Sequence, residues 1–197
     1  MIRVNISEKS FGNLEVLGRI AFQIAPGETL AVSGPSGVGK STLLRILAGL
    51  DTDFAGTVEG SNRVAFVFQE PTLLPWRSAR ANITLSTGVS NEKADQALED
   101  VGLAGLGCRF PQKLSLGQRR RLSLARAFAA KPSLLLMDEP FVSLEPELAE
   151  EMLALTERLL APARIATVLV THTQAEAERL ATRSYRLAGQ PATLSEL

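Results

Sequence analysis

The chain has 197 residues, 45% hydrophobic and 21% charged, a balance that suits one or two domains with a buried core and excludes global disorder. Twenty-one Lys and Arg offset 21 Asp and Glu, so the formal net charge is zero, which argues against bulk nucleic acid or an acidic membrane surface as the main partner. A single cysteine, Cys108, and a single histidine, His172, exclude an internal disulfide and any metal site built from several Cys or His.

No apolar run approaches the roughly 18–20 residues of a membrane span. The first residues, Met1 to Lys9, hold no apolar stretch of the kind a secretory signal needs, so a cytosolic chain is expected. Four short apolar runs read as strands: Leu30–Val32, Val64–Phe68, Leu134–Met137 and Ile165–Val170. They are nearly continuous, as strands buried on both faces of a parallel sheet are. Helices are expected after Lys40, along Ala94, Ala97, Leu98 and Val101, and along Leu148, Met152, Leu155 and Leu159, the last with Glu147, Glu150 and Glu151 near its start. Strands alternating with helices give an α/β fold with a mostly parallel sheet. Gln69 to Leu114, with Pro71, Pro75, Pro111 and one clear helix, reads as a helical insertion. Near the end, Tyr185–Leu187 and Pro191–Leu194 read as a closing hairpin.

Gly34-Pro35-Ser36-Gly37-Val38-Gly39-Lys40-Ser41 fits G-x-x-x-x-G-K-[ST]. Its glycines let backbone N–H groups turn inward onto phosphate oxygens, and the helix that follows presents its N-terminus to the same anion. Lys40 supplies a point charge for β- and γ-phosphates, and the hydroxyl of Ser41 can ligate Mg²⁺. At about 7% glycine, a chance match arises in roughly one chain of this length in a hundred. The run Leu134–Met137 ends in Asp138-Glu139, at the strand end where parallel sheets build their sites. Asp138 can hold Mg²⁺ through water, and Glu139 can polarise an attacking water.

Leu114-Ser115-Leu116-Gly117-Gln118 stands between these motifs, followed by the Arg-rich stretch Arg119–Ala129. With it the sequence resembles the nucleotide-binding subunits of ATP-binding cassette (ABC) transporters, whose signature is Leu-Ser-Gly-Gly-Gln. The resemblance runs from about Val4 to Arg186. It implies a P-loop NTPase in one domain over residues 1–197, with an N-terminal antiparallel portion and a helical subdomain from about 70 to 114 plus the signature helix.

The resemblance also assigns roles. Phe11 matches the aromatic that stacks on adenine, and Gly34 to Ser41 with Thr42 match the phosphate loop. Gln69 matches the glutamine serving Mg²⁺ and the attacking water, Ser143-Leu144-Glu145 the D-loop, and His172 the switch histidine at the γ-phosphate. Ser115, Gly117 and Gln118 match residues that address ATP bound by a second copy, which implies ATP and Mg²⁺ as ligands and a homodimer in the ATP state. Phe68 to Arg77, with Ala81-Asn82-Ile83, resembles importers of the nitrate, sulfonate and taurine type. That implies a transmembrane permease docking near Leu73, Leu74 and Trp76, a substrate-binding protein in the same complex, and no nucleic acid. An exporter or lipid-transport ATPase, or a regulatory module without hydrolysis, remains an open alternative.

The chain departs from the family at three positions. Leu116 replaces the first signature glycine, so its side chain is expected to point away from nucleotide. Glu145 replaces the D-loop aspartate and is expected at a helix N-cap ahead of Pro146. Thr173 replaces an aspartate after His172 and is expected to form a capping box with Glu176. The Arg119-Arg120-Arg121 run is expected to face solvent.

Overall fold

The computed structural model describes all 197 residues, which divide into two compact units. The first comprises residues 1–66, 133–139 and 164–197; the second comprises 67–132 and 140–163. No helix is long and apolar enough to cross a membrane.

The first unit is built on a ten-stranded sheet. Its strands are β1 (Ile2–Phe11), β2 (Leu14–Leu17), β3 (Ile20–Ile24), β4 (Thr29–Ser33), β5 (Ala55–Glu59), β6 (Val64–Val67), β7 (Leu134–Asp138), β8 (Ala166–Val170), β9 (Arg183–Gly189) and β10 (Ala192–Glu196). They run in the order β3-β1-β2-β10-β9-β4-β8-β7-β6, and β5 pairs separately with β1. β4, β7, β8 and β9 are parallel neighbours. β1 pairs antiparallel with β2, β3 and β5. The expected mixed sheet is thus present, and β9 with β10 forms the expected hairpin.

Burial patterns follow from these roles. β4, β7 and β8 are buried along nearly their whole length, as strands flanked on both faces must be. β1 instead alternates, with Ile2, Val4 and Ile6 inward and Arg3 and Asn5 outward, the mark of a strand with one wet face. The criterion of continuous apolar runs therefore passes over β1 and β3, although their period of two is plain in the sequence. Helix α1 (Lys40–Leu47) buries Leu43, Leu44, Ile46 and Leu47 in the same core as Leu30, Val32, Leu134, Leu136, Val168 and Val170. Burying a leucine of this kind stabilises by about 1.5–3 kcal/mol. Helix α6 (Gln174–Leu180) completes the unit beside β4.

The second unit is helical: α2 (Ala79–Thr87), α3 (Asn91–Asp100), a 3-10 turn at Pro111–Lys113, α4 (Leu116–Ala129) and α5 (Pro146–Leu160). The insertion therefore holds α2 besides the expected α3. Helix α2 is short and weakly amphipathic; its signals are Ser78, which caps the Ala81 N–H, and Gly88 in the left-handed conformation at its end. Helix α5, assigned to the α/β core in the sequence, groups with the helical unit because it packs on α4, where Arg121 Nη2 lies 3.0 Å from Glu151 Oε2.

The arginine run corrects the solvent-facing expectation. Arg119 is exposed, Arg120 is buried with its Nη1 3.5 Å from the Pro140 carbonyl, and Arg121 donates to the Val101 carbonyl at 2.9 Å. Successive helix positions point about 100° apart, so three adjacent arginines cannot share one environment.

Asn82 shapes the loop before α2. Its buried amide accepts from Leu74 N at 2.7 Å and donates to the carbonyls of Leu74 (3.1 Å), Arg77 (3.0 Å) and Ser78 (3.0 Å). Backbone bonds already serve Leu73 N, Leu74 O, Arg77 N and Ser78 O, and the Asn82 side chain adds partners for Leu74 N and Arg77 O. Asn82→Ala should lower Tm by roughly 4–8 °C, because it removes the partners of the Leu74 N–H and the Arg77 carbonyl at about 1 kcal/mol or more each. Thermal denaturation checks this, with Ser86→Ala expected within about 2 °C of the parent.

Candidate functional site

The parallel register brings three strand ends together. β4 leads into Gly34, β7 ends at Asp138, and β8 ends one residue before Thr171. Thr171 N donates to Val32 O at 3.2 Å, and Glu139 N donates to Val170 O at 2.9 Å, which extends this pairing into the motifs themselves.

The phosphate loop owes its shape to two glycines. Gly34 has φ 154°, and a Cβ there would lie 2.4 Å from the Leu187 carbonyl. Gly39 has φ 111°, and a Cβ there would meet Leu17 Cδ2 at 2.7 Å. Gly39 is the N-cap of α1, with no side-chain cap and no acidic residue in the first turn. Helix α1 thus starts with free N–H groups and an uncompensated positive dipole end. Ser36 and Gly37 at the loop tip are exposed.

Within the loop, Lys40 is buried, with 8% of its surface exposed. Its Nζ donates to the carbonyls of Gly34 at 2.8 Å and Pro35 at 3.1 Å, and lies 3.8 Å from Glu139 Oε1. A buried ammonium needs oxygen partners on all three protons. Phosphate oxygens are anionic substitutes for those carbonyls.

Ser41 Oγ donates to Asp138 Oδ2 at 3.1 Å. Burial pushes the Asp138 carboxyl above its ordinary 3.8; the Ser41 hydrogen bond opposes this and the Glu139 charge adds to it. A hydroxyl and a desolvated carboxylate at this spacing are hard oxygen donors suited to Mg²⁺, which would hold Asp138 ionised. Glu139 has φ 47°, a left-handed conformation rare for a residue with a Cβ. There its Oε1 stands between Lys40 Nζ and His172 Nδ1, at 3.8 and 3.9 Å. Strain of this type costs of order 1–3 kcal/mol and is a feature of functional positions. The His172 ring is more than half exposed and free to turn toward a ligand.

Phe11 ends β1 with 51% of its surface exposed and so is not part of the core. Lys40, Ser41, Asp138, Glu139 and His172 are thus gathered in the first unit, which also carries Phe11. Gln69, Ser115, Gly117 and Gln118 belong to the second unit, Gln69 with an exposed side chain beyond β6.

Ser115 caps α4 through a full capping box: Ser115 Oγ accepts from Gln118 N at 3.2 Å, and Gln118 Oε1 accepts from Ser115 N at 3.0 Å. Gln118 therefore has a structural task besides any contact with nucleotide. A Cβ on Gly117 would lie 3.0 Å from Leu148 Cδ1, so this signature glycine also lets α4 approach α5. Leu116 is 42% exposed. Glu145 is the N-cap of α5 with Pro146 following, as expected, and makes no capping bond with its side chain.

The capping box expected of Thr173 and Glu176 does not form. Thr171 displaces it: its hydroxyl accepts from Thr173 N at 3.0 Å and donates to the Glu176 carboxylate. Buried at the end of β8, Thr171 ties that strand to α6 and leaves His172 between two fixed points.

These motifs and their geometry coincide with a known family. The ABC transporter family model matches residues 17–142. The chain belongs to that family. Among curated relatives it is 39% identical, over 207 residues, to an aliphatic sulfonates import ATP-binding protein of Burkholderia cenocepacia, covering 100% of this chain and 77% of that protein. A protein of the same description from Agrobacterium fabrum is 46% identical over 183 residues, covering 89% of this chain and 66% of its own length. Among solved structures, an ATP-binding cassette in a dimeric, post-hydrolysis state bound to ADP and Pi superposes with a TM-score of 0.84 at 26% identity, covering 100% of this chain and 98% of that one. An ABC transporter in an inward-facing conformation gives 0.86 at 27% identity, covering 99% and 82%.

A carboxyl that holds its proton more tightly in the folded chain lowers stability once ionised, so stability falls as pH climbs from 3.8 through the raised folded value of Asp138. Asp138→Asn should therefore raise Tm of the nucleotide-free protein at neutral pH by about 2–4 °C while abolishing Mg²⁺-dependent ATP turnover. Calorimetry and a phosphate-release assay check the two effects together.

Proposed function

We propose that this chain is the ATP-binding and ATP-hydrolysing subunit of an importer, energising uptake of a small organic solute of the aliphatic sulfonate class. The observation that carries hydrolysis is Glu139, aimed between Lys40 at 3.8 Å and His172 at 3.9 Å. Lys40 binds the β- and γ-phosphates by exchanging loop carbonyls for phosphate oxygens, and its charge opposes the one that builds up during transfer. Glu139 orients a water and accepts its proton, and His172 turns onto the γ-phosphate. Ser41 and Asp138 would hold Mg²⁺, which would supply positive charge against the phosphates. Phe11 offers its open face to adenine.

The sulfonate class comes from the curated relatives, each described as an aliphatic sulfonates import ATP-binding protein. Nothing in the site of this chain would contact that solute, so selection belongs to partner proteins. The proposed permease contact is the loop at Leu73, Leu74 and Trp76. Asn82 holds that loop so that Trp76 stands 67% exposed while Leu73 and Leu74 are half-buried. A rigid exposed tryptophan is a suitable anchor for a docking helix. A substrate-binding protein outside the membrane and a cytoplasmic location under the permease complete the assembly. The related cassette seen as a dimer with ADP and Pi supports the shared-site reading. In that reading, Ser115, Gly117 and Gln118 of each copy would face the nucleotide of the other.

Glu139→Gln should bind MgATP without hydrolysing it and so hold the dimer closed. Light scattering should then rise from the 21.1 kDa of one chain to about twice that on adding MgATP, with Ser115→Arg abolishing the rise. A monomer at saturating MgATP in the absence of any permease would contradict self-sufficient closure.

A further inference from the structure

The most unusual charge outside the phosphate end is Lys9. It is 2% exposed, yet it lies on a strand whose inward positions, Ile2, Val4 and Ile6, are aliphatic. Strict alternation from Ile6 would turn Glu8 inward and Lys9 outward. An irregularity prevents this: Ile6 pairs with Gly56 and Glu8 with Ala55, so β1 carries Ser7 as an extra residue ahead of Lys9. Bulges of this kind re-aim side chains and are frequent beside functional sites.

Once inside, the ammonium is fully engaged. Nζ donates to Asp51 Oδ1 at 2.9 Å and to the Asp53 carbonyl at 2.6 Å, with Asp53 Oδ2 at 3.6 Å. It also lies 4.4 Å from the centroid of the Phe11 ring. Phe11 is the last residue of β1, paired with Leu14 and followed by Gly12 with φ 60°, so its half-exposed ring stands at a hairpin tip. Buried ion pairs contribute little net stability compared with apolar residues of the same size. Fold stability alone is therefore a poor account of a bulge and a buried cation.

We propose that Lys9 is a positioning residue for the nucleotide base. The proposal rests on the reading of Phe11 as the adenine platform. Asp51 and Asp53 follow α1, the helix whose first turn receives phosphate, so Lys9 fastens the ring to the far end of the element that binds the other half of the ligand. The cation occupies one face of Phe11, draws π density toward itself and leaves the open face electron-poor and fixed in orientation for an electron-rich purine. The lysine touches the ring; the ring touches the base.

The test is titration calorimetry of MgATP and of magnesium tripolyphosphate, which has phosphates and no base, on the parent, Lys9→Met, Phe11→Ala and the double variant. Phe11→Ala should weaken ATP by about fivefold to a hundredfold. Lys9→Met should weaken it by about threefold to tenfold, with tripolyphosphate affinity held within about twofold. Lys9→Met should cost nothing further in the Phe11→Ala background. Asp51→Asn, which keeps the cation and loosens its anchor, should weaken ATP by about twofold to threefold and serves if Lys9→Met does not fold. Equal losses from Lys9→Met in both backgrounds, or no loss on ATP, would overturn the proposal. Unchanged ATP affinity in Phe11→Ala would remove the adenine platform and Lys9 with it, leaving the phosphate site standing. Failure of the parent to bind either ligand would instead overturn the nucleotide reading.

Discussion

The proposed chemistry of this protein rests on one buried cation. Lys40 is held in a loop whose backbone oxygens, together with Glu139, are its partners. Such a charge is tolerable only while surrounded by oxygen. That requirement fixes the carbonyl directions of Gly34 and Pro35, and Gly34 reaches its φ of 154° only because it lacks a Cβ. The parallel pairing of β4, β8 and β7 sets Glu139 and His172 at the same end of the sheet. The result is a buried ammonium at a helix N-terminus, with the Glu139 carboxylate 3.8 Å away.

A second device recurs away from the phosphates: one buried polar side chain shapes a loop so that an aromatic ring stands in solvent. Lys9 holds the tip that carries Phe11, and Asn82 holds the loop that carries Trp76. Asn82 does so through hydrogen bonds to the loop backbone, and Lys9 through the ring itself, 4.4 Å from its centroid.

Much of this was legible in the sequence. The continuous runs at Leu30, Leu134 and Ile165 located the central strands because they are buried on both faces, and the glycine-lysine spacing located the phosphate loop. The antiparallel strands were legible only as alternation, which a bulge ahead of Lys9 interrupts. Helix α2 was hidden by its weak apolar stripe, its boundaries written instead in Ser78 and Gly88. The partnership of Thr171 with Glu176 was invisible because a sequence pattern favours the nearer Thr173, whereas the strand end decides which hydroxyl is inside. Lys9 carried no signal, and Asn82 entered only within the Ala81-Asn82-Ile83 resemblance, since the partners of both are set by tertiary structure.

The central claim is that the Lys40 loop binds nucleotide by its phosphates, and titration of MgATP into Lys40→Met tests it most directly. The account predicts ATP affinity reduced by about 30- to 100-fold, with Tm of the nucleotide-free protein unchanged or raised because an apolar side chain replaces a buried charge. ATP bound as tightly by Lys40→Met as by the parent would contradict the account.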